Sequence, residues 1–174
     1  IGETIEYLSD LAAGDSSKNL EVDIYPSGVL GAEPSTVEMV QAGVLDMAKV
    51  SANTLGQFDE RYSIFSLPYL FRDREHYYNA MANSEGIQEL FESTRDKGYI
   101  AIGYYANGAR NYYLKEDKAV TDPSVLKGKK IRAMVSSTSM EMIELMGGSP
   151  VPMASSETYT SLQQGIVDGA ENTE

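Results

Sequence analysis

Two arginines are the residues of this sequence whose type and position best suit chemistry. Arg132 interrupts the apolar stretch IRAM, and Arg110 follows an asparagine–glycine pair after the apolar stretch YIAIGYYA. A guanidinium is planar and permanently charged, and it can hold a carboxylate through two parallel hydrogen bonds. On a chain with a formal net charge of −12, cations at strand ends predict an anion site. A structural ion pair or an edge-strand position explains either arginine equally well.

Other polar groups could complete such a site. The SSTS segment at 136–139 predicts a helix N-terminus, where hydroxyl and backbone N–H groups attract anions. Simple helix capping explains the same residues. Asn172, near the end of the stretch GIVDGAEN, could donate to the same anion or could form a turn.

Little in the sequence indicates catalysis. The one histidine, His76, lies in a charged helical segment, and no G-x-S-x-G motif, phosphate loop or dinucleotide fingerprint occurs. The absence of cysteine excludes disulfides, zinc–thiolate sites and a thiol nucleophile. We therefore expect no enzyme activity, no cofactor and no metal. The net negative charge and scattered basic residues argue against a nucleic-acid partner.

The chain contains nearly the same eight residues twice. QAGVLDMA occupies 41–48 and QQGIVDGA occupies 163–170. In each copy the glycine suits a helix C-cap, and the aspartate, Asp46 or Asp168, suits hydrogen bonding to the backbone of a helix-to-strand turn. The repeat predicts equivalent turns in two related lobes, with ligand residues just beyond them.

Hydrophobic patterns predict the elements that position these residues. Helices are expected at 1–14, at 34–43, twice within 72–98 with Gly98 as cap, from SSTS to Met146, and after a cap at Ser155 or Ser156. Strands are expected at 19–26, 44–51, 99–106, 129–134 and 150–153. The alternation predicts an α/β fold with mainly parallel pairing, whose strand ends border a cleft.

The two ends of the sequence do not resemble the ends of a natural gene product. The chain opens directly in a helical pattern without methionine, and it stops just after the second repeat. We expect that both ends are cut. No apolar run approaches the roughly 20 residues that a membrane-spanning helix needs.

A series of motifs, taken in order, resembles the solute-binding proteins of tripartite ATP-independent periplasmic (TRAP) transporters. The motifs are YPSGVLGAE, QAGVLDMAKVS, LPYLFRDREH, NGAR, LKGKKIRAM and PVPMASSETYTSLQQGIVDGAEN, and they cover essentially the whole chain. The resemblance implies a periplasmic-binding-protein-like fold of two α/β lobes around a ligand cleft with hinge strands. The first lobe would span 1–106, and 107–174 would hold the hinge crossing and part of the second lobe.

The same resemblance implies a function and a set of site residues. The function is an extracytoplasmic receptor that closes on a small organic acid and delivers it to the membrane permease subunits. We expect a monomer, located in the periplasm or anchored to the membrane of a Gram-positive host. The matching positions are the carboxylate clamp Arg132, together with the cleft positions Arg110, Asn172, Glu33, Ser51 and Ser136.

Some residues depart from the pattern of the family. Ser155 lies where many members place an aromatic ring, and Met134 replaces a common proline. GAEN, GARNYY and FRDREH look more like the branch that binds hexuronates such as glucuronate or galacturonate. The hydroxyls of such an acid would meet Glu33, the serines and Lys49. A C4-dicarboxylate or 2-oxo acid ligand, or an effector-sensing two-lobe domain of a regulator, stays an alternative.

Overall fold

A computed structural model describes residues 22–116 and 121–173, together with Tyr7, Ser9, Asp10 and Gly14. The helix predicted at 1–14 therefore lies largely outside the described residues. Among the described residues, no helix is both long and apolar enough to cross a membrane.

The described chain is a mixed α/β structure, as the alternating patterns predict. Its α-helices are α1 (Glu33–Gln41), α2 (Ala52–Leu55), α3 (Arg74–Asn83), α4 (Glu85–Glu92), α5 (Ser137–Leu145) and α6 (Thr158–Gln163). Its strands are β1 (Arg110–Leu114), β2 (Lys130–Ala133), β3 (Ser149–Pro152) and β4 (Gly169–Thr173). Short 3-10 turns lie at Glu60–Ser66, Arg95–Lys97, Pro123–Leu126 and Ser155–Glu157.

The four strands form one sheet in the order β1-β4-β2-β3. β2 pairs in parallel with β3 and β4, and β1 pairs antiparallel with β4. The prediction of mainly parallel pairing is confirmed. β2 lies between two partners, which explains why Ile131 and Ala133 are fully buried.

One hydrophobic core joins the sheet to α5. Leu126, Ile131, Ala133 and Ile143 pack together, with at most 1% of each exposed. Burying a large apolar side chain contributes about 1.5–3 kcal/mol. Ser136 caps α5 by accepting the N–H of Ser139, so the helix predicted from SSTS is confirmed. The core therefore fixes the strand that carries Arg132 against the helix that follows it.

A second core lies under α3 and α4. Tyr62, Met81 and Phe91 are its buried members. The two helices predicted within 72–98 are confirmed, but Gly98, with a left-handed φ of 86°, caps the 3-10 turn Arg95–Lys97 and not α4, which ends at Glu92. Beside this core, buried Asp59 accepts hydrogen bonds from Arg61 and Lys97.

The two copies of the repeated octapeptide fold alike at the glycine. Gly43 and Gly165 have φ values of 69° and 71°, which favour glycine. Both copies close a helix with the same backbone hydrogen bonds, from Val44 N to Met39 O and from Ile166 N to Ser161 O. The glycine caps of the two copies are confirmed, but only the second copy leads into a strand.

The aspartate of the second copy has a different partner from the one predicted. Asp168 Oδ2 accepts the N–H of Lys130 at 2.8 Å, while its own N–H donates to Lys130 O. It therefore joins the turn to the start of β2 and does not bond within the turn. The repeat thus helps set the register of β4 beside β2.

Three predicted strands are wrong within the described residues. Residues 22–26, 44–51 and 99–106 form no strand, and Val44 and Ile102 are each 76% exposed. Alternating apolar residues give a segment one hydrophobic side that can be buried. A strand also needs an adjacent strand that hydrogen-bonds to its backbone N–H and C=O groups. No strand of the described chain pairs with these segments.

Two further expectations need correction. Neither Ser155 nor Ser156 caps α6, because both lie in a 3-10 turn that starts after Ala154, whose N–H donates to Glu157. Arg110 does not follow a buried strand but begins β1.

Gly169 allows β4 to approach its neighbours closely. A Cβ at this position would lie 2.4 Å from Tyr113 O and 2.5 Å from Leu114 Cδ2. We expect Gly169→Ala to lower the free energy of unfolding of the intact protein by about 1–3 kcal/mol in urea titrations, because β1 would have to shift. Gly103→Ala is the control, since nothing lies within 4 Å of its added Cβ. Equal stability of the two variants would contradict the packing described here.

Candidate anion-binding site

Four strands deliver polar residues to one edge of the sheet. Because β2, β3 and β4 are parallel, their carboxyl ends meet at the same edge, where ligands bind in open α/β sheets. β1 is antiparallel, so its first residue, Arg110, lies opposite Thr173 near the end of β4. Arg110 thus lies at the predicted edge of the sheet. It does so as the first residue of an antiparallel strand, whereas the sequence predicted it at the end of a parallel one.

Arg132 is a buried cation at this edge. Only 3% of the residue is exposed. Its Nε and Nη2 donate to Met153 O at 3.3 and 3.0 Å, and its Nη1 donates to Glu171 O at 3.3 Å. Burial lowers the pKa of Arg132, and the charge of Glu171 acts in the opposite direction. A guanidinium remains charged at neutral pH under such a shift.

Glu171 neutralises the other arginine. Its side chain is 7% exposed, and its Oε2 accepts Nε of Arg110 at 2.6 Å and contacts Nη2 at 2.5 Å. Its Oε1 accepts the N–H of Met134 at 3.0 Å. The salt bridges in the described part of the chain include none to Arg132. Two guanidiniums and one carboxylate leave one positive charge, which suits a single bound anion.

A second polar cluster surrounds Glu33 at the start of α1. Oε2 of Glu33 accepts the N–H of Ser51 at 3.0 Å and the hydroxyls of Ser51 and Thr54 at 2.7 Å each. Lys49 Nζ lies 3.7 Å from Oε1. Burial opposes ionisation, but the hydrogen bonds from Thr54 and Ser51 hold the pKa of Glu33 below its usual value. Glu33 is therefore an ionised acceptor whose Oε1 can receive a ligand hydroxyl.

The other predicted site residues have different roles in the fold. Ser136 is buried as the cap of α5. Ser155 is exposed in its 3-10 turn, and Asn172 is exposed, with Oδ1 accepting the N–H of Thr173 at 2.9 Å. The structure thus brings Arg132 to Arg110 and brings Glu33 to Ser51 and Lys49. The ligand contacts of all eight residues stay predictions.

Two residues of the site are missing from the sequence-based prediction. Glu171 directly precedes Asn172 in the strand GAENT, and a carboxylate that is buried in a strand needs a polar partner. Thr54 lies three residues after Ser51, on the first turn of α2, where a hydroxyl can reach the same acceptor as the cap. Both residues can be noticed from their sequence neighbours, but their roles follow only from the partners that the fold brings to them.

Two features describe the site before any comparison is made. Arg132 is a buried cation at the edge of an α/β sheet, and it forms no salt bridge with any residue that the structure describes. Glu33 is an ionised carboxylate held by Ser51 and Thr54. Among the described residues, no group of three or more histidines and carboxylates could hold a metal ion.

Comparison with known proteins gives the family. The profile of the family described as bacterial extracellular solute-binding protein, family 7, matches residues 1–174. The chain belongs to this family. The resemblance to TRAP transporter solute-binding proteins is thereby confirmed.

Individual relatives agree with this assignment. The chain is 41% identical to the Salmonella typhimurium protein YiiZ over 100% of this chain and 53% of that protein. A TRAP periplasmic solute-binding protein of Anaerococcus prevotii with bound D-glucuronate has a TM-score of 0.91 and 36% identity, covering 97% of this chain and 54% of that chain. One from Sulfitobacter sp. NAS-14.1 with bound β-D-galacturonate has a TM-score of 0.90 and 33% identity, covering 97% and 55%. The chain spans about half the length of these relatives.

The hydrogen bonds to Glu33 should control its ionisation. We expect Thr54→Val to raise the pKa of Glu33, because the burial that opposes ionisation would remain while one donor is lost. Thr36→Val is the control, since the Thr36 hydroxyl donates to the backbone oxygen of Glu33 and not to its carboxylate. Carboxyl-carbon NMR titration of the intact protein measures both variants. An unchanged pKa of Glu33 in Thr54→Val would contradict the hydrogen-bond account.

Proposed function

We propose that this chain forms the acid-binding part of a TRAP transporter receptor, and that its ligand is a sugar acid such as D-glucuronate or D-galacturonate. The observation that carries the proposal is the charge balance at the sheet edge. Glu171 forms a salt bridge with Arg110. Arg132 is buried, and in the described chain its hydrogen-bond partners are carbonyl oxygens only. A ligand carboxylate would supply the missing negative charge.

The ligand carboxylate and Arg132 would form a charge-assisted pair. Such hydrogen bonds are roughly twice as strong as neutral ones, and the forked guanidinium matches both carboxylate oxygens. The cost of burying Arg132 is already incurred in folding, so binding an anion recovers electrostatic energy that water cannot supply at a buried site. An uncharged sugar has no equivalent group.

The Glu33 cluster supplies the second half of the recognition. A carboxylate accepts hydrogen bonds from hydroxyls, and the ammonium of Lys49 donates to them. A hexuronate offers one carboxylate, which would pair with Arg132, and several hydroxyls, which would donate to Glu33. The D-glucuronate and β-D-galacturonate bound to the Anaerococcus and Sulfitobacter proteins support this ligand class.

The proposed mechanism is closure of two lobes around the acid. The lobes would be 1–106 and 107–174, with the hinge crossing after residue 106. Contacts made only in the closed state would shift the population towards closure. The closed receptor would act outside the cytoplasm, as a monomer without catalytic activity, and would deliver the acid to the membrane permease subunits.

Removing the clamp should weaken binding strongly. We expect Arg132→Ala in the intact protein to weaken D-glucuronate binding by at least about thirtyfold, because losing one partner of a buried charge pair costs about 2–5 kcal/mol. Isothermal titration calorimetry measures the change. Arg95→Ala is the control, since Arg95 pairs with Glu92 on the surface of the helical region, and we expect its affinity to stay within about twofold. Retained affinity in Arg132→Ala would overturn the clamp.

A ligand panel tests the substrate class separately. We expect hexuronates to raise the melting temperature of the intact protein, since a ligand at a hundred times its dissociation constant adds about 2.7 kcal/mol to stability. C4-dicarboxylates and 2-oxo acids should raise it less, because they offer fewer hydroxyls to Glu33. A larger shift with either of these classes would replace the sugar acid and keep the receptor.

A further inference from the structure

The two polar clusters are joined by contacts that involve no ligand. α2 carries Ser51 at its cap and Thr54 in its first turn, and both hold the Glu33 carboxylate. The loop and helix start at 134–139 directly follow Arg132 in the chain. Side chains from α2 and the turn after it reach across to 134–139, although the two segments lie about eighty residues apart in sequence.

Asn53 makes the first part of this connection. Its Nδ2 donates to Ser139 Oγ at 3.2 Å and lies 3.4 Å from Met134 Sδ. Its Oδ1 accepts the hydroxyl of Ser66 at 2.7 Å, which holds the amide in this orientation. All three side-chain polar contacts of Asn53 are thus used inside the protein, and the residue ties α2 to the start of α5.

Gln57 makes the second part. Its Nε2 donates to the backbone oxygen of Val135 at 2.8 Å. Val135 lies three residues after Arg132, in the short segment between β2 and the cap of α5. Because the acceptor is a backbone atom, the contact constrains the path of the chain immediately after the clamp strand.

The loop that these residues hold is also fixed from the other side. The N–H of Met134 donates to the Glu171 carboxylate, which in turn binds Arg110. A continuous set of hydrogen bonds therefore connects Glu33, through α2, to the segment after β2.

We propose that Asn53 and Gln57 are positioning residues that set the spacing between Glu33 and Arg132 and so select acids long enough to reach both. The proposal rests on the proposed function. Asn53 and Gln57 belong to the first proposed lobe and 134–139 to the second, so these contacts stabilise the closed arrangement. Without this bridge the lobes would spend more time at other separations of the two clusters, and apparent affinity falls in proportion to the fraction of molecules in the competent arrangement. An acid that engages both clusters should lose affinity, whereas a short acid that engages Arg132 alone should not.

The test compares two ligands in matched variants of the intact protein. We expect the double variant Asn53→Ala/Gln57→Ala to weaken D-glucuronate binding by about tenfold, while the weak binding of glycolate, followed by NMR, changes by less than about twofold. Gln88→Ala is the control, because Gln88 also donates from Nε2 to a backbone oxygen, that of Met81 at 2.9 Å, within the helical region. It should leave both affinities unchanged.

The outcomes separate this proposal from the receptor function. Equal loss for both acids, or no loss for either, would overturn the spacing role while leaving the receptor intact. If the wild-type protein binds no acid, the proposed function fails, and the bridge is judged without ligand. Amide hydrogen exchange at 134–139 should then be faster in the double variant than in wild type and in Gln88→Ala, and unchanged exchange overturns the bridge.

A second pair of substitutions tests the proposal in case the alanine variant does not fold. Asn53→Asp keeps the acceptor for the Ser66 hydroxyl and removes the donors to Ser139 and Met134. Combined with Gln57→Glu, which removes the donor to Val135 O at constant side-chain size, it should reproduce the selective loss for D-glucuronate. Wild-type selectivity in this pair would overturn the proposal.

Discussion

The interaction on which the rest of the site depends is the one between Glu171 and Arg110. This buried carboxylate uses one oxygen for the guanidinium and the other for the backbone of Met134. It thereby removes one arginine from competition for an anion and leaves the charge of Arg132 available. Buried ion pairs contribute little net stability on average, so the value of this pair lies in how it distributes charge at the sheet edge.

The topology of the sheet makes that distribution possible. β4 lies between β1 and β2, so its residue 171 can meet a side chain from one neighbour and the backbone that follows the other. Parallel pairing brings the ends of β2, β3 and β4 together, and antiparallel pairing brings the start of β1 to the same place. The close approach at Gly169 and the bond from Lys130 to Asp168 keep these strands in register. A shift by one residue would turn Glu171 away from Arg110.

Local signals predicted much of this arrangement from the sequence. The helix after SSTS, the glycine caps of the repeat and the strand with Arg132 each depend on residues within one turn or one strand. The strands expected at 44–51 and 99–106 failed because pairing is set by distant segments, which a local pattern does not contain. Arg110 lies at the predicted edge of the sheet, but it begins a strand and does not follow one. The role of Glu171 is not predictable from local sequence, because its partners come from β1 and from the loop after β2.

The central claim is that a single negative charge on the ligand completes the site at Arg132. It is tested most directly by calorimetric titration of the intact protein with D-glucuronate and with D-glucuronamide, which keeps the shape and hydroxyls of the acid but carries no charge. We expect the acid to bind and the amide to bind at least about thirtyfold more weakly, which corresponds to the roughly 2–5 kcal/mol lost when one member of a buried charge pair is removed. Equal affinity for the two compounds would contradict the claim.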